Sequence, residues 1–264
     1  MIFRACLAVC LTLLPFTHSH AEHASVPVAK LALVIDDMGH NVALNRAVLQ
    51  LSGDISFAFL PHARYSKRMA IAAKALERDI LLHAPMENFA QLSLGPGGLT
   101  TRQSQGEFKA VLARNIEAIP YIRGVNNHTG SKLTSQSLQM QWTMQVLAER
   151  ELFFLDSRTS AKSVAAAEAR KAGIPVLVRD VFLDHSASPK DMAREFERAI
   201  TIATKHGKAV LIAHPRKATV AFLQRHLAQV EARGVRLVSL STLLQAVKAP
   251  VVVAASDKKV EALP

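Results

Sequence analysis

The sequence predicts a single α/β domain in which parallel strands, each followed by a helix, close into a TIM-like barrel or an irregular version of one. Three observations carry that expectation. Short apolar runs alternate with helical patterns over seven or eight units, with little else between them. The runs are nearly continuous and rich in branched side chains, as strands buried on both faces are. Most run directly into Asp or His, and a parallel barrel gathers its strand C-termini at one face. An open doubly wound sheet is the competing architecture, and the absence of any G-x-G-x-x-G turn counts against it.

From the N-terminus, residues 1–4 carry one positive charge, residues 5–16 form an apolar core too short to span a bilayer, and Ser19-His-Ala21 offers a small-x-small cleavage site. Residues 1–21 therefore read as a secretory signal peptide, and the mature chain is expected in the periplasm or outside the cell, without a stable membrane anchor. Both cysteines, Cys6 and Cys10, fall inside this segment. The mature chain is thus expected to use no disulfide, thiolate ligand or Cys nucleophile. Val9 before Cys10 is not the small residue a lipoprotein site wants.

Roughly 240 residues would remain, half of the chain's residues being apolar, which suits one compact domain over 28–247 with a tail from 248 to 264. The formal charge is +11, of which Arg4 supplies one. The basic residues are scattered along helical patterns, with one Trp and two Tyr in the chain, so no nucleic acid is expected as a partner. The charge reads first as a solvated surface and next as affinity for an anionic envelope polymer. Oligomeric state leaves no mark in the sequence.

The first expected strand, 31–36, runs into Asp36 and Asp37. Two readings stand there: a pair of acids delivered to the barrel rim, or a turn and N-cap ahead of Gly39 and a helical pattern over 42–51. Further strands are expected at 55–60, 80–83, 124–127, 152–156, 176–182, 209–213 and 235–240. Ser104-Gln-Gly-Glu107 forms a capping box before a helix over 108–119, and Ser188-Pro189 caps one over 192–206. Helices near 165–172 and 218–233 complete the series. Residues 86–103, with Gly95-Pro-Gly-Gly98, show no periodicity and read as a long loop over the barrel mouth.

At the strand ends stand Asp36, Asp37, His83, His128, Asp156, Arg158, Asp184, His185 and His214. A lone histidine is usually structural. Several acids and imidazoles meeting at one rim need compensation, which a metal or a catalytic network supplies.

These residues sit in the segments LALVIDDMGHN, FLPHA, DILLHAPMEN, GVNNHTGSKLT, FFLDSRTSA, RDVFLDH and AVLIAHP. In that order they resemble the divergent polysaccharide deacetylases, relatives of the NodB-type carbohydrate esterases. The resemblance covers 31–244 and implies a distorted (β/α)7-type barrel, a divalent metal held by one Asp and two His, and an N-acetylated glycan substrate such as peptidoglycan. It implies Asp36 as general base, Asp37 as ligand and His214 as general acid. The usual H-x-x-x-H ligand pair here reads His83-Ala-Pro-Met-Glu87. His83 and His128 are then the expected partners of Asp37, with Glu87 as the rival third ligand. Such a His-His-carboxylate set suits zinc. Asp184 or Asp156 is expected to orient His214 or a ligand, Arg158 to bind substrate or neutralise the acids, and His185 to lie near them. The altered motif also leaves a catalytically silent glycan-binding or scaffold protein as the alternative.

Overall fold

The structure, a computed structural model, describes residues 28–248. The expected signal peptide lies outside the described residues, as does the expected tail beyond Lys248. Among the described residues nine strands form one all-parallel sheet: β1 (Ala29–Met38), β2 (Ser56–Phe59), β3 (Ile80–Met86), β4 (Gly124–Thr129), β5 (Phe153–Asp156), β6 (Val176–Val178), β7 (Val181–Phe182), β8 (Lys208–Ala213) and β9 (Val235–Leu237). The helices are α1 (Val42–Leu49), α2 (Ser66–Ala75), α3 (Gln105–Ala118), α4 (Ser137–Ala148), α5 (Ala165–Lys171), α6 (Pro189–His206), α7 (Lys217–His226) and α8 (Leu240–Lys248).

The sheet runs β6-β5-β4-β3-β2-β1-β8-β7 and curls on itself. The expected strand over 176–182 is broken into two. Its first half pairs with β5 and its second with β8, and the chain changes partner at Arg179 and Asp180, whose N–H groups donate to Asp156 O and Val210 O. One extended segment thus links the two edges of the curled sheet. The last expected strand, 235–240, is also shorter than the sequence suggested. β9 pairs with the start of β1, and Leu240 begins a helix instead.

Side-chain alternation divides the core. Ala32, Val34, Ala58, Leu81, Leu155, Leu177, Val210 and Ile212 point into the barrel, while Leu33, Ile35, Phe57, Phe59, Ile80 and Leu82 pack under the helices. Gly124 leaves space inside for the Phe153 ring, which a Cβ at that position would strike. Leu240, Leu243 and Leu244 of α8 plug the end opposite the strand C-termini. The plug is fixed by Asp54 and Asp79, whose carboxylates accept from Ser239 N and Ser241 N at the positive end of α8. Burial of that leucine stripe makes Leu240, the last residue of the expected strand, the start of a helix.

The capping box at Ser104 and Glu107 is formed, and Ser188 caps α6 with Pro189 in its first turn. The last expected helix ends early, α7 giving way to two 3-10 turns over 227–229 and 231–233. Helices α2, α4 and α8 have no counterpart among the sequence expectations. Residues 87–103 contain no helix or named strand, and Leu99 bridges to Met86. Among the described residues no helix is long and apolar enough to cross a membrane.

Candidate metal centre

Asp36 and Asp37 close β1. Alternation turns Asp36 inward with Ala32 and Val34, and would turn Asp37 outward. Asp37 instead takes a φ of 54°, and the β1–β2 register shifts between Ile35 and Met38. Asp tolerates that left-handed conformation better than most side chains. The kink brings two adjacent carboxylates to one imidazole. The cap of α1 is Asn41, which accepts from Leu44 N, so neither acid serves the helix.

That imidazole is His83, on the inner face of β3 and almost fully buried. Its Nδ1 lies 2.8 Å from Asn126 Oδ1. The Asn126 amide nitrogen donates to Asp36 Oδ1 at 2.8 Å and to Ser157 Oγ at 3.3 Å, which turns the carbonyl toward His83. The network places the proton on His83 Nδ1 and leaves a lone pair on Nε2. Nε2 is 3.2 Å from Asp37 Oδ1, 3.7 Å from Asp36 Oδ2 and 3.1 Å from His128 Nδ1. His128, near the end of β4, sets its Nδ1 2.9 Å from Asp37 Oδ1.

Asp37, His83 and His128 therefore present three ligand atoms within 4.8 Å of one another. Asp37 Oδ1 is buried and accepts no hydrogen bond of good geometry, although two ring nitrogens stand close to it. Three donor atoms facing one point are the arrangement that a cation resolves. Burial pushes the Asp36 carboxyl up from its ordinary value despite the attraction of His83 and His214. Burial acts the same way on Asp37, but the close imidazole rings of His128 and His83 hold it well below the usual range. For His83, burial disfavours the charged form, yet Asp36 and Asp37 raise it to about 9. The pocket demands positive charge, met either by an imidazolium or by a divalent ion that displaces the proton.

His214 follows β8 and approaches from the other side, its Nε2 3.9 Å from Asp37 Oδ2. Its Nδ1 is 2.8 Å from Asp184 Oδ1. Asp184 Oδ2 accepts from His214 N at 2.9 Å and from Thr219 Oγ at 2.8 Å. Burial would raise Asp184, but these bonds keep it ionised below its ordinary value. Burial would lower His214, and Asp184 reverses that and raises it. Phe182 stacks on the ring at 6.1 Å between centroids.

The remaining expected residues stand apart from the cluster. Asp156 corrects an expectation: Phe153 and Leu155 fill the barrel, so Asp156 faces away, accepting from Arg158 N and Ser163 Oγ to shape the loop after β5. It does not orient His214. Arg158 has an exposed side chain, and only its backbone joins that loop. His185 is exposed and lines a cavity with Arg179, Asp191 and Arg194. Glu87 accepts from Lys132 Nζ at 2.8 Å and from Thr101 N and Oγ at 2.7 Å, tying down the 87–103 loop. Asn126 and Phe182 were not anticipated. Asn126 is neutral and sits within a strand, where only its inward parity beside His83 gives it away.

A family model described as divergent polysaccharide deacetylase matches residues 33–244. An uncharacterized protein from Haemophilus influenzae is 39% identical over 219 residues, covering 81% of this chain and 76% of that protein. Among solved structures, an uncharacterized protein from Agrobacterium tumefaciens superposes with a TM-score of 0.79 at 22% identity, over 83% of this chain and 91% of the other. The peptidoglycan deacetylase PdaC from Bacillus subtilis shares the fold with a TM-score of 0.51 at 15% identity, over 83% of this chain and 91% of that one. With four-fifths of its length matched, the fold a NodB-like barrel and the rim acids and imidazoles gathered at its mouth, this chain belongs to the divergent polysaccharide deacetylase family.

Proposed function

We propose that the chain is an exported, metal-dependent hydrolase that removes N-acetyl groups from a cell-envelope glycan, acting in the periplasm or outside the cell. The observation that carries this reading is a division of labour at the barrel mouth. Three side chains share a cation site, and a separate carboxylate and a separate Asp-held imidazole flank it. A binding protein has no use for all three parts.

A divalent ion held by Asp37, His83 and His128 would supply Lewis acidity to a water and to the acyl oxygen, and the donor set suits zinc. Asp36, fixed by Asn126, is the group placed to take the proton of the attacking water. His214 points Nε2 at the same space while Asp184 holds Nδ1–H and favours the protonated ring. As the C–N bond breaks, that ring would give its Nε2 proton to the departing amine, which cannot leave as an anion. Family membership supports a glycan as the substrate. Export rests on the charged, apolar and small-residue pattern of residues 1–21. The test is acetate release from N-acetylated oligosaccharides and peptidoglycan fragments by metal-loaded mature protein.

A further inference from the structure

Helices α2, α1 and α7 stand side by side on the barrel, α1 packing against both of the others. None of the three contains Asp or Glu, yet together they expose Arg46, Lys67, Arg68, Lys74, Lys217 and Arg225. Among the described residues no ion pair engages any of these six. Elsewhere cations are neutralised in place. Lys171 meets Glu168 at 2.8 Å on α5, and on α6 Arg194 and Arg198 meet Asp191 and Glu195 at 2.8 and 2.6 Å. The next exposed acids along the chain, Glu77 and Glu231, follow α2 and α7 at the closed end of the barrel.

Fold stability does not account for this placement. Lys67, Arg68 and Lys217 sit in the first turns of their helices, where the backbone dipole is positive and a cation is unfavourable. On α2, spacings of three and four residues align Lys67, Arg68, Ile71 and Lys74 on one stripe. Ile71, in the middle of that stripe, is 48% exposed. Met69, Ala70 and Ala73 form the buried face that holds the helix on the barrel. The outward face of α2 is therefore an apolar side chain ringed by cations.

We propose that the outer face of α2, α1 and α7 is a peripheral docking surface for an anionic lipid bilayer, its cations meeting headgroup phosphates and Ile71 entering the boundary between headgroups and acyl chains. Charges on the outsides of neighbouring helices suit an extended anionic surface, and a hydrophilic polyanion would leave Ile71 unused. The first turns of α2 and α7 lie at the same end as the strand C-termini, so docking holds the barrel mouth beside the membrane. Docking of this kind needs neither the metal nor the hydrolase chemistry.

The test is co-sedimentation of the mature chain with vesicles of phosphatidylglycerol and phosphatidylethanolamine in equal parts, and with vesicles of phosphatidylcholine alone. Binding to the anionic vesicles that weakens as salt is raised, with little to phosphatidylcholine, is the expected result. A basic residue near an anionic bilayer brings roughly a fivefold gain in partitioning, so the triple variant Lys67→Gln, Arg68→Gln, Lys74→Gln should lose about 100-fold. The triple variant Arg114→Gln, Lys162→Gln, Lys205→Gln removes the same charge from positions on other parts of the barrel and should lose far less. Ile71→Gln should weaken binding about fivefold and leave its salt dependence in place. All variants share their termini, so a difference between them reports the substituted face, and Tm should not fall in any of them. Undiminished binding by the α2 triple variant overturns the proposal, as does an equal loss in both triple variants. Binding to polyphosphate or to insoluble peptidoglycan without binding to anionic vesicles overturns it in favour of an envelope polymer.

Discussion

Asp37 Oδ1 and His128 Nδ1 meet at 2.9 Å from the ends of β1 and β4, strands with two others between them in the sheet. Only curvature brings such ends together, and it also carries His83 from β3 into the same cluster. The geometry favours His128 over Glu87 as the third member of the candidate cation site, since Glu87 is already engaged by Lys132 and Thr101.

Replacing His83 or His128 with Ala should therefore cut bound metal sharply in elemental analysis of purified protein. Glu87→Gln should leave metal content nearly unchanged. Metal lost in Glu87→Gln and kept in His128→Ala would reverse the assignment.

Glu87 matters to stability instead. Burial would raise its carboxyl, but Lys132 and Thr101 lower it to about 2 from an ordinary 4.5. A folded value below the unfolded one stabilises above about pH 4.5, and the stabilisation is lost as pH falls from there toward 2. After discounting for solvent screening, Glu87→Gln should cost about 1–2 kcal/mol at pH 7. The Tm difference between the two proteins should narrow steadily as pH falls from about 4.5 toward 2; a constant difference would show that charge is not the cause.

Asn126 fixes which nitrogen of His83 carries the proton. Asn126→Ala should lower metal affinity by roughly 10–100-fold, the usual cost of losing a ligand's hydrogen-bond partner, while circular dichroism stays native. Unchanged affinity in a chelator competition would remove Asn126 from that role.

Much of this site was legible because β/α alternation sends strand C-termini to one rim, so Asp36, Asp37, His83, His128 and His214 could be grouped before any contact was known. What stayed hidden depended on parity and local backbone. Asp36 and Asp156 both end apolar runs, yet one faces the barrel and the other a loop, and which is which depends on the packing of Phe153 and Leu155. Asp37 joins the cluster through a left-handed φ that its sequence position does not announce. The run at 235–240 read as strand to its end, and only closure of the barrel end makes Leu240 the start of α8.

Asp184 sets the protonation of His214, the proposed general acid. Burial alone would lower the His214 pKa, and Asp184 raises it, so removing that charge in Asp184→Asn should lower it. A general acid works while protonated, so the alkaline limb of the kcat profile should move to lower pH in this variant, with a loss of turnover. A limb that stays in place would mean another group is the acid.

The most direct measurement is acetate release by metal-loaded wild type and Asp36→Asn on a panel of N-acetylated oligosaccharides and peptidoglycan fragments, with bound metal quantified in both. Asp36 lies beside the ligand cluster but outside it, so Asn should retain the metal and the shape while turnover falls by roughly 10²–10⁴-fold. Wild type that carries metal, binds glycans and releases no acetate, with Asp36→Asn binding them equally well, would contradict a hydrolase and identify a silent glycan-binding barrel.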